Sequence, residues 1–88
     1  MAAIEKCLSA FIETTVDDEV VIVSLDKGHF FSLKDTGLVI WRKIDGSRSR
    51  DDILSELKAE FDADAEVLTR DLDEFLSEVS AVGFVQQG

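Results

Sequence analysis

Few side chains in this sequence could take part in catalysis or metal binding. Cys7 and His29 are its one cysteine and its one histidine. A single cysteine cannot form an internal disulfide, and two soft ligands are too few for a zinc site. A catalytic nucleophile needs a neighbouring base and a third group that orients the base, and the sequence offers no such set. We therefore predict a protein that is not an enzyme and that binds no metal or cofactor.

Several acidic residues occur close together, and the stretch at 62–66, Asp-Ala-Asp-Ala-Glu, is similar to the beginning of a calcium-binding loop. Val67 occupies the position at which the sharp turn of such a loop needs glycine. Helix capping is therefore the better interpretation of this stretch. Other pairs, such as Asp17–Asp18 and Asp51–Asp52, fall in predicted turns or on solvated helix faces, where their charge favours solubility.

Length and charge limit the location and the partners of the protein. The 88 residues allow one small domain. No apolar run approaches the roughly 20 residues of a membrane span, and residues 1–6 lack the layout of a secretory signal. We expect a soluble, cytoplasmic protein. The formal net charge of −10 repels phosphate backbones, so a basic or neutral partner is expected rather than nucleic acid.

Three strands are predicted in the first part of the chain. β-branched and alternating apolar residues mark them at Phe11–Val16, Glu19–Leu25 and His29–Leu33. Residues 26–28 suit a turn that Gly28 closes in the left-handed region. Residues 1–10 have no clear period and are expected to form a flexible lead-in before a single domain at 11–88.

The length of the turn at 26–28 determines which side chains share a face of the sheet. The predicted core face holds Val21, Val23, Leu25, Phe31 and Leu33, and the opposite face holds Val20, Ile22, Phe30 and Ser32. Because the opposite face is also fairly apolar, we expect the N-terminal segment or a partner chain to cover part of it.

The apolar spacing changes from that of strands to that of helices after the third strand. The first helix is expected to begin at Thr36, with Asp35 as its cap. A capping box at Ser49–Asp52 begins the second helix, and the third and longest helix covers 64–82. The predicted class is α+β, with a three-stranded antiparallel meander followed by three helices.

Several short motifs together suggest a family. They are Gly28-His29-Phe30-Phe31-Ser32-Leu33-Lys34-Asp35-Thr36-Gly37, Ile40-Trp41, Ile44-Asp45-Gly46, Ile53, Leu57, Phe61, Asp71-Leu72, Phe75-Leu76 and Gly83-Phe84-Val85. The sequence with these motifs resembles the PqqD-like family, the recognition elements for ribosomally made, modified peptides (RiPPs), including the stand-alone proteins of lasso-peptide pathways. The resemblance covers roughly residues 16 to 85. The chain departs from the family at Lys34, where an asparagine often follows the leucine.

The resemblance implies a winged-helix-like fold that binds the leader segment of a precursor peptide and presents it to a processing enzyme, such as a leader peptidase. In such domains the leader adds as a strand to the edge of the third strand and rests against the third helix. In a meander that edge is unpaired, and an incoming peptide can pair with it. The expected site residues are His29, Phe30, Phe31, Ser32 and Leu33 on the strand and Val67, Arg70, Asp71, Glu74 and Phe75 on the helix. Because the helix residues form a mainly acidic rim, we expect a basic or amide-rich leader.

The residues alone are also compatible with two other functions. The same number of elements could describe a winged-helix DNA-binding regulator. Between Glu60 and Glu78, however, eight acidic residues accompany one basic residue, Arg70, which would oppose phosphate contacts. A structural dimerisation module is the other alternative, suggested by the apolar outer face of the sheet. We expect a monomer or a weak homodimer.

Overall fold

The order of elements agrees with the predicted class and adds two short strands. A computed structural model describes residues 3–26 and 28–87. Its elements are β1 (Ile4–Lys6), β2 (Phe11–Val16), β3 (Glu19–Ser24), β4 (Phe30–Leu33), α1 (Asp35–Lys43), α2 (Arg50–Glu60), α3 (Ala65–Ala81) and β5 (Val85–Gln87). Strands β2, β3 and β4 form an antiparallel sheet in that order, and three helices follow. The α+β prediction is confirmed, whereas β1 and β5 were not predicted.

The faces predicted for β3 are wrong, because the connection to β4 is one residue longer than expected. The N–H of Ser24 donates to the carbonyl oxygen of His29 at 2.7 Å, so four residues separate the paired positions. Gly28 has the predicted left-handed conformation, with φ of 70°. A shift of one residue in register exchanges the two faces of a strand. As a result Val20 and Ile22 are buried in the core, whereas Val23 is 39% exposed.

Strand β4 has the predicted orientation. Leu33 is buried and Phe31 is half-buried on the core side, whereas Phe30 is 70% exposed and Ser32 is exposed on the outer face. Phe30 pairs with Val23, which in turn pairs with Ile12, so three exposed apolar side chains form a row across the outer face.

A second sheet joins the two ends of the described chain and corrects the expectation for residues 1–10. Strand β1 pairs with β5 in antiparallel register, with Ile4 opposite Gln87. The N–H of Ile4 donates to the carbonyl oxygen of Arg48 at 2.9 Å, and the Ile4 carbonyl accepts from the N–H of Gly46 at 3.0 Å. The Ile4 side chain is buried. The strand Ile4–Lys6 is therefore part of the folded domain, with Ile4 in its core, although three residues are too few to show a period in the sequence.

The helix ends differ from the predictions at one place. Asp35 is the first residue of α1 and has a left-handed backbone, with φ of 56°, which aspartate tolerates better than most residues. The N-cap position is Lys34, which makes no side-chain cap hydrogen bond. The prediction that Asp35 caps α1 is therefore wrong, because the chain turns from strand to helix through Asp35 itself.

The predicted capping interactions of the other two helices are confirmed. Ser49 Oγ accepts from the N–H of Asp52 at 3.2 Å, and Asp52 Oδ2 accepts from the N–H of Ser49 at 3.0 Å. The backbone hydrogen bond from Ser49 is the main reason that the pKa of Asp52 is lowered. At the start of α3, Asp64 Oδ1 accepts from the N–H of Glu66 at 2.8 Å, in agreement with helix capping. None of the helices in the described ranges is long and apolar enough to cross a membrane.

Aromatic rings form the centre of the core. The fully buried Trp41 lies edge-on to Phe11, with ring centroids 5.3 Å apart, and Phe84 packs against both Phe11 and Phe31. Trp41 Nε1 donates to Glu13 Oε1 at 2.7 Å, so the indole N–H keeps a partner although the ring is buried. The predicted apolar side chains of α1, α2 and α3 face this centre.

Candidate functional site

The outer edge of β4 is unpaired in the described part of the chain. β4 is the last strand of its sheet and pairs with β3 on one side. In an antiparallel sheet, hydrogen-bonded and non-hydrogen-bonded residue pairs alternate. Because Ser24 bonds to His29, the backbone groups of Phe31 and Leu33 also point toward β3. Those of Phe30 and Ser32 point outward, so the free edge presents two N–H donors and two carbonyl acceptors.

A surface cleft of about 330 Å³ lies where the connection from β4 to α1 faces α3. It is lined by Lys34, Asp35, Thr36, Gly37, Ile40, Asp71, Glu74, Phe75 and Glu78. An ideal Cβ on Gly37 would lie 3.9 Å from Phe75 Cε1 and 4.0 Å from Leu33 Cδ2. The last residue of β4, the first turn of α1 and the middle of α3 therefore meet at Gly37.

The floor of the cleft is anchored in the core. Phe75 is half-buried, and its ring is T-shaped against Trp41 with centroids 6.5 Å apart. Ile40 is fully buried. Since these side chains are held by core packing, the floor of the cleft is an apolar surface of fixed shape.

The rim of the cleft is acidic. Four of the lining residues carry carboxylates, namely Asp35, Asp71, Glu74 and Glu78, and Lys34 is the one basic residue among those that line it. A cation or a neutral polar group is therefore favoured at this rim over a carboxylate.

Several other cations are held in ion pairs between elements. Lys43 Nζ lies 3.1 Å from Glu56 Oε1, and this ion pair joins α1 to α2. Arg48 Nε lies 2.6 Å from the other oxygen of the same carboxylate, Glu56 Oε2. Arg50 Nε contacts Asp73 Oδ1 at 2.6 Å, and this hydrogen bond lowers the pKa of Asp73. These three basic side chains do not line the cleft, so its acidic charge is not neutralised by them.

The predicted strand residues divide into two sets. Phe31 and Leu33 face the interior, and the Phe31 ring is T-shaped against Phe84 at 5.5 Å. Phe30 and Ser32 face outward, and Ser32 Oγ donates to Glu19 Oε2 at 3.1 Å. His29 is exposed at the end of the hairpin loop, and its carbonyl is already bonded to Ser24.

The predicted helix residues are not all in one place. Asp71, Glu74 and Phe75 line the cleft. Val67 is exposed one helical turn before Asp71 and is not among the lining residues. Arg70 borders a different depression on α3, together with Thr69 and Asp73 among others.

Sequence reasoning did not assign the segment Lys34–Gly37 or Ile40 to the site. The signal for Lys34–Gly37 was present, because the hydrophobic period changes from strand to helix at these residues. This segment continues directly from the end of the edge strand β4 and lines the cleft. Glu78 is one helical turn after Glu74 and so extends the same face of α3.

The fold and the cleft define an α+β domain in which an edge strand lies beside a helix, and sequence comparison gives its family. The profile of the family described as "Coenzyme PQQ synthesis protein D (PqqD)" matches residues 19–85, which is more than half of the chain. The chain therefore belongs to the PqqD family. A search of curated proteins gives no significant match.

Two solved structures share this fold. One is TbiB1 "in Complex with the TbiA(beta) Leader Peptide", with a TM-score of 0.79 and 27% sequence identity over 93% of this chain and 94% of TbiB1. The other is a "Lasso peptide synthetase B1 complexed with the leader peptide", with a TM-score of 0.80 and 18% identity over 97% and 99% of the two chains. Both relatives were solved with a leader peptide bound.

Proposed function

We propose that this protein captures the leader segment of a ribosomally made precursor peptide by strand addition to β4 and presents it to a separate processing enzyme, such as a leader peptidase. The observation that carries the proposal is the free edge of Phe30–Leu33 beside a cleft on α3. Strand addition to an exposed sheet edge is a common mode of peptide recognition. Membership of the PqqD family and the similarity to TbiB1, which was solved with a leader peptide, support it.

The backbone edge can supply only part of the affinity. Its two outward donors and two outward acceptors would give about 4 kcal/mol, at a net ~1 kcal/mol for each hydrogen bond. Micromolar binding needs about 8 kcal/mol before the cost of ordering the peptide. Side chains of the leader must therefore enter the cleft, where full burial of one apolar side chain contributes about 1.5 to 3 kcal/mol.

Each proposed site residue has a role that follows from its position. Phe30 and Ser32 bind the leader backbone, whereas Phe31, Leu33 and Phe75 form the apolar surface beneath it. Asp71 and Glu74 favour basic or amide side chains of the leader. His29, Val67 and Arg70 lie at the margins and contact the leader only where it extends beyond the cleft.

The protein acts in this proposal as a monomeric or weakly dimeric adaptor in the cytoplasm. It needs no catalytic group and no cofactor, because the processing enzyme carries out the chemistry. Its own contribution is to hold the leader in an extended conformation. The enzyme then binds a peptide that is already ordered, so the entropic cost of its binding is smaller.

The test is a titration followed by residue-resolved hydrogen exchange. The probe is a fluorescein-labelled synthetic peptide that spans the leader of a precursor encoded beside this gene, and its anisotropy should saturate with added protein. In the complex, the amide protons of Phe30 and Ser32 should become protected, whereas that of Phe31 is protected already in the free protein. If none of the neighbouring leaders binds, or if binding leaves the amides of Phe30 and Ser32 unprotected, the proposal is wrong.

A further inference from the structure

Gly37 is a glycine that the fold does not require. It lies in α1 and is not among the glycines with positive φ, which are Gly28, Gly46 and Gly83. Alanine favours a helical backbone over glycine, so propensity alone would favour alanine at this position.

Packing within the protein does not exclude a side chain at Gly37 either. The nearest atoms to an ideal Cβ are Phe75 Cε1 at 3.9 Å and Leu33 Cδ2 at 4.0 Å, which are ordinary van der Waals contacts. A methyl group there would fit against the protein and would occupy part of the cleft floor, because Gly37 lines the cleft. The absence of a side chain at Gly37 therefore leaves a space on the cleft floor that no atom of the described chain fills.

We propose that Gly37 determines which leaders are accepted, because an apolar leader side chain lies against its α-carbon between Leu33 and Phe75. This inference rests on the proposed function and adds the chemistry of one leader residue. That residue would lie on the inward side of the added strand, since Phe31 and Leu33 direct their side chains inward.

The surroundings define the side chain that fits. Leu33 and the edge of the Phe75 ring present carbon atoms at the base of the space, so an aliphatic or aromatic group is favoured there. Asp71, Glu74 and Glu78 stand around it, so a leader carboxylate at the same position would be repelled.

The experiment compares Gly37→Ala with the unchanged protein in thermal unfolding and in binding of the labelled leader. The melting temperature should rise by about 2 to 5 °C, because alanine is the better helix former. Leader affinity should fall about tenfold, since one extra methyl group at a packed contact forces the ligand to shift. Ser55→Ala, on the exposed face of α2, is the control: it also improves helix propensity, but it should leave leader affinity within about twofold.

A second series varies the leader. Each residue of the synthetic peptide is replaced by alanine in turn, and each peptide is titrated into both proteins. At one apolar position, truncation should abolish the difference between the unchanged protein and Gly37→Ala, because the smaller side chain leaves room for the added methyl group. Replacement of the same leader residue by aspartate should weaken binding more than alanine does.

Four results would overturn the inference. If Gly37→Ala binds the leader as tightly as the unchanged protein, or is less stable than it, the role of Gly37 is refuted while the proposed function stands. The same holds if no leader position couples to Gly37. If the unchanged protein binds no leader, the proposed function and this inference fail together.

Discussion

Ser32→Pro tests whether the outer edge of β4 carries peptide binding. The backbone N–H of Ser32 points away from β3, so proline removes one of the two outward donors without breaking the β3–β4 ladder. In the complex, a leader carbonyl would lose its hydrogen bond and remain poorly solvated. The net cost is about 2 kcal/mol, which corresponds to roughly 30-fold weaker binding.

The assay is fluorescence anisotropy with the labelled leader, together with urea denaturation of each variant. Stability of Ser32→Pro should stay within about 1 kcal/mol of the unchanged protein, because edge strands tolerate proline where the N–H faces solvent. Ser32→Ala keeps the N–H and loses only the exposed hydrogen bond to Glu19, so it should bind normally. Thr15→Pro places the same change on the outward side of β2, at the opposite edge, and should also bind normally. A folded Ser32→Pro protein that binds the leader with unchanged affinity would refute strand addition.

Three further outcomes are expected. Glu13→Ala should lower the free energy of unfolding by about 1 to 2 kcal/mol in urea denaturation, because the buried N–H of Trp41 loses its acceptor. Glu13→Gln keeps an acceptor and should lower it less. Equal losses for the two variants would contradict this reasoning. Stability should decrease as the pH falls below about 4, because the pKa of Asp52 is lowered in the folded protein by hydrogen bonds from Ser49 and has its ordinary value in the unfolded chain. The urea midpoint of Asp52→Asn should therefore fall less steeply over that range, and an unchanged slope would count against the capping box as the cause. Glu74→Gln should weaken binding of a basic leader a few-fold at low salt, and the difference should vanish near 0.5 M salt; a difference that persists would indicate a contact other than charge.

Local patterns in the sequence were sufficient to predict α2 and α3. The capping box at Ser49 and Asp52 and the apolar stripe of α3 depend on residues three or four positions apart, so the sequence contains the whole signal. The faces of β3 depend instead on the length of one loop, and an error of one residue there exchanged Val20 and Ile22 with their neighbours. Strands β1 and β5 depend on pairing between distant parts of the chain, for which a three-residue segment carries no pattern.

The candidate site was predictable in outline for a similar reason. Strand order in a meander follows from short loops, so the free edge of β4 could be inferred. The position of Arg70 could not be inferred. A difference of a fraction of a turn about the axis of α3 determines whether a side chain lines the cleft or the neighbouring depression. The sequence shows Gly37 only as the last residue of a motif, and the three-dimensional positions of Leu33 and Phe75 around it indicate what its missing side chain leaves open.

The pairing of Ile4 with Gln87 has a consequence for the way in which the protein is made on the ribosome. Strands β2, β3 and β4 and the helices mostly contact elements that are adjacent to them in the sequence. They can therefore assemble as the chain emerges. Ile4 finds its partner only after β5 has left the exit tunnel, because three strands and three helices lie between β1 and β5 in the sequence. Until that moment the Ile4 side chain has no complete core to enter, so pairing of β1 with β5 follows the assembly of the elements between them.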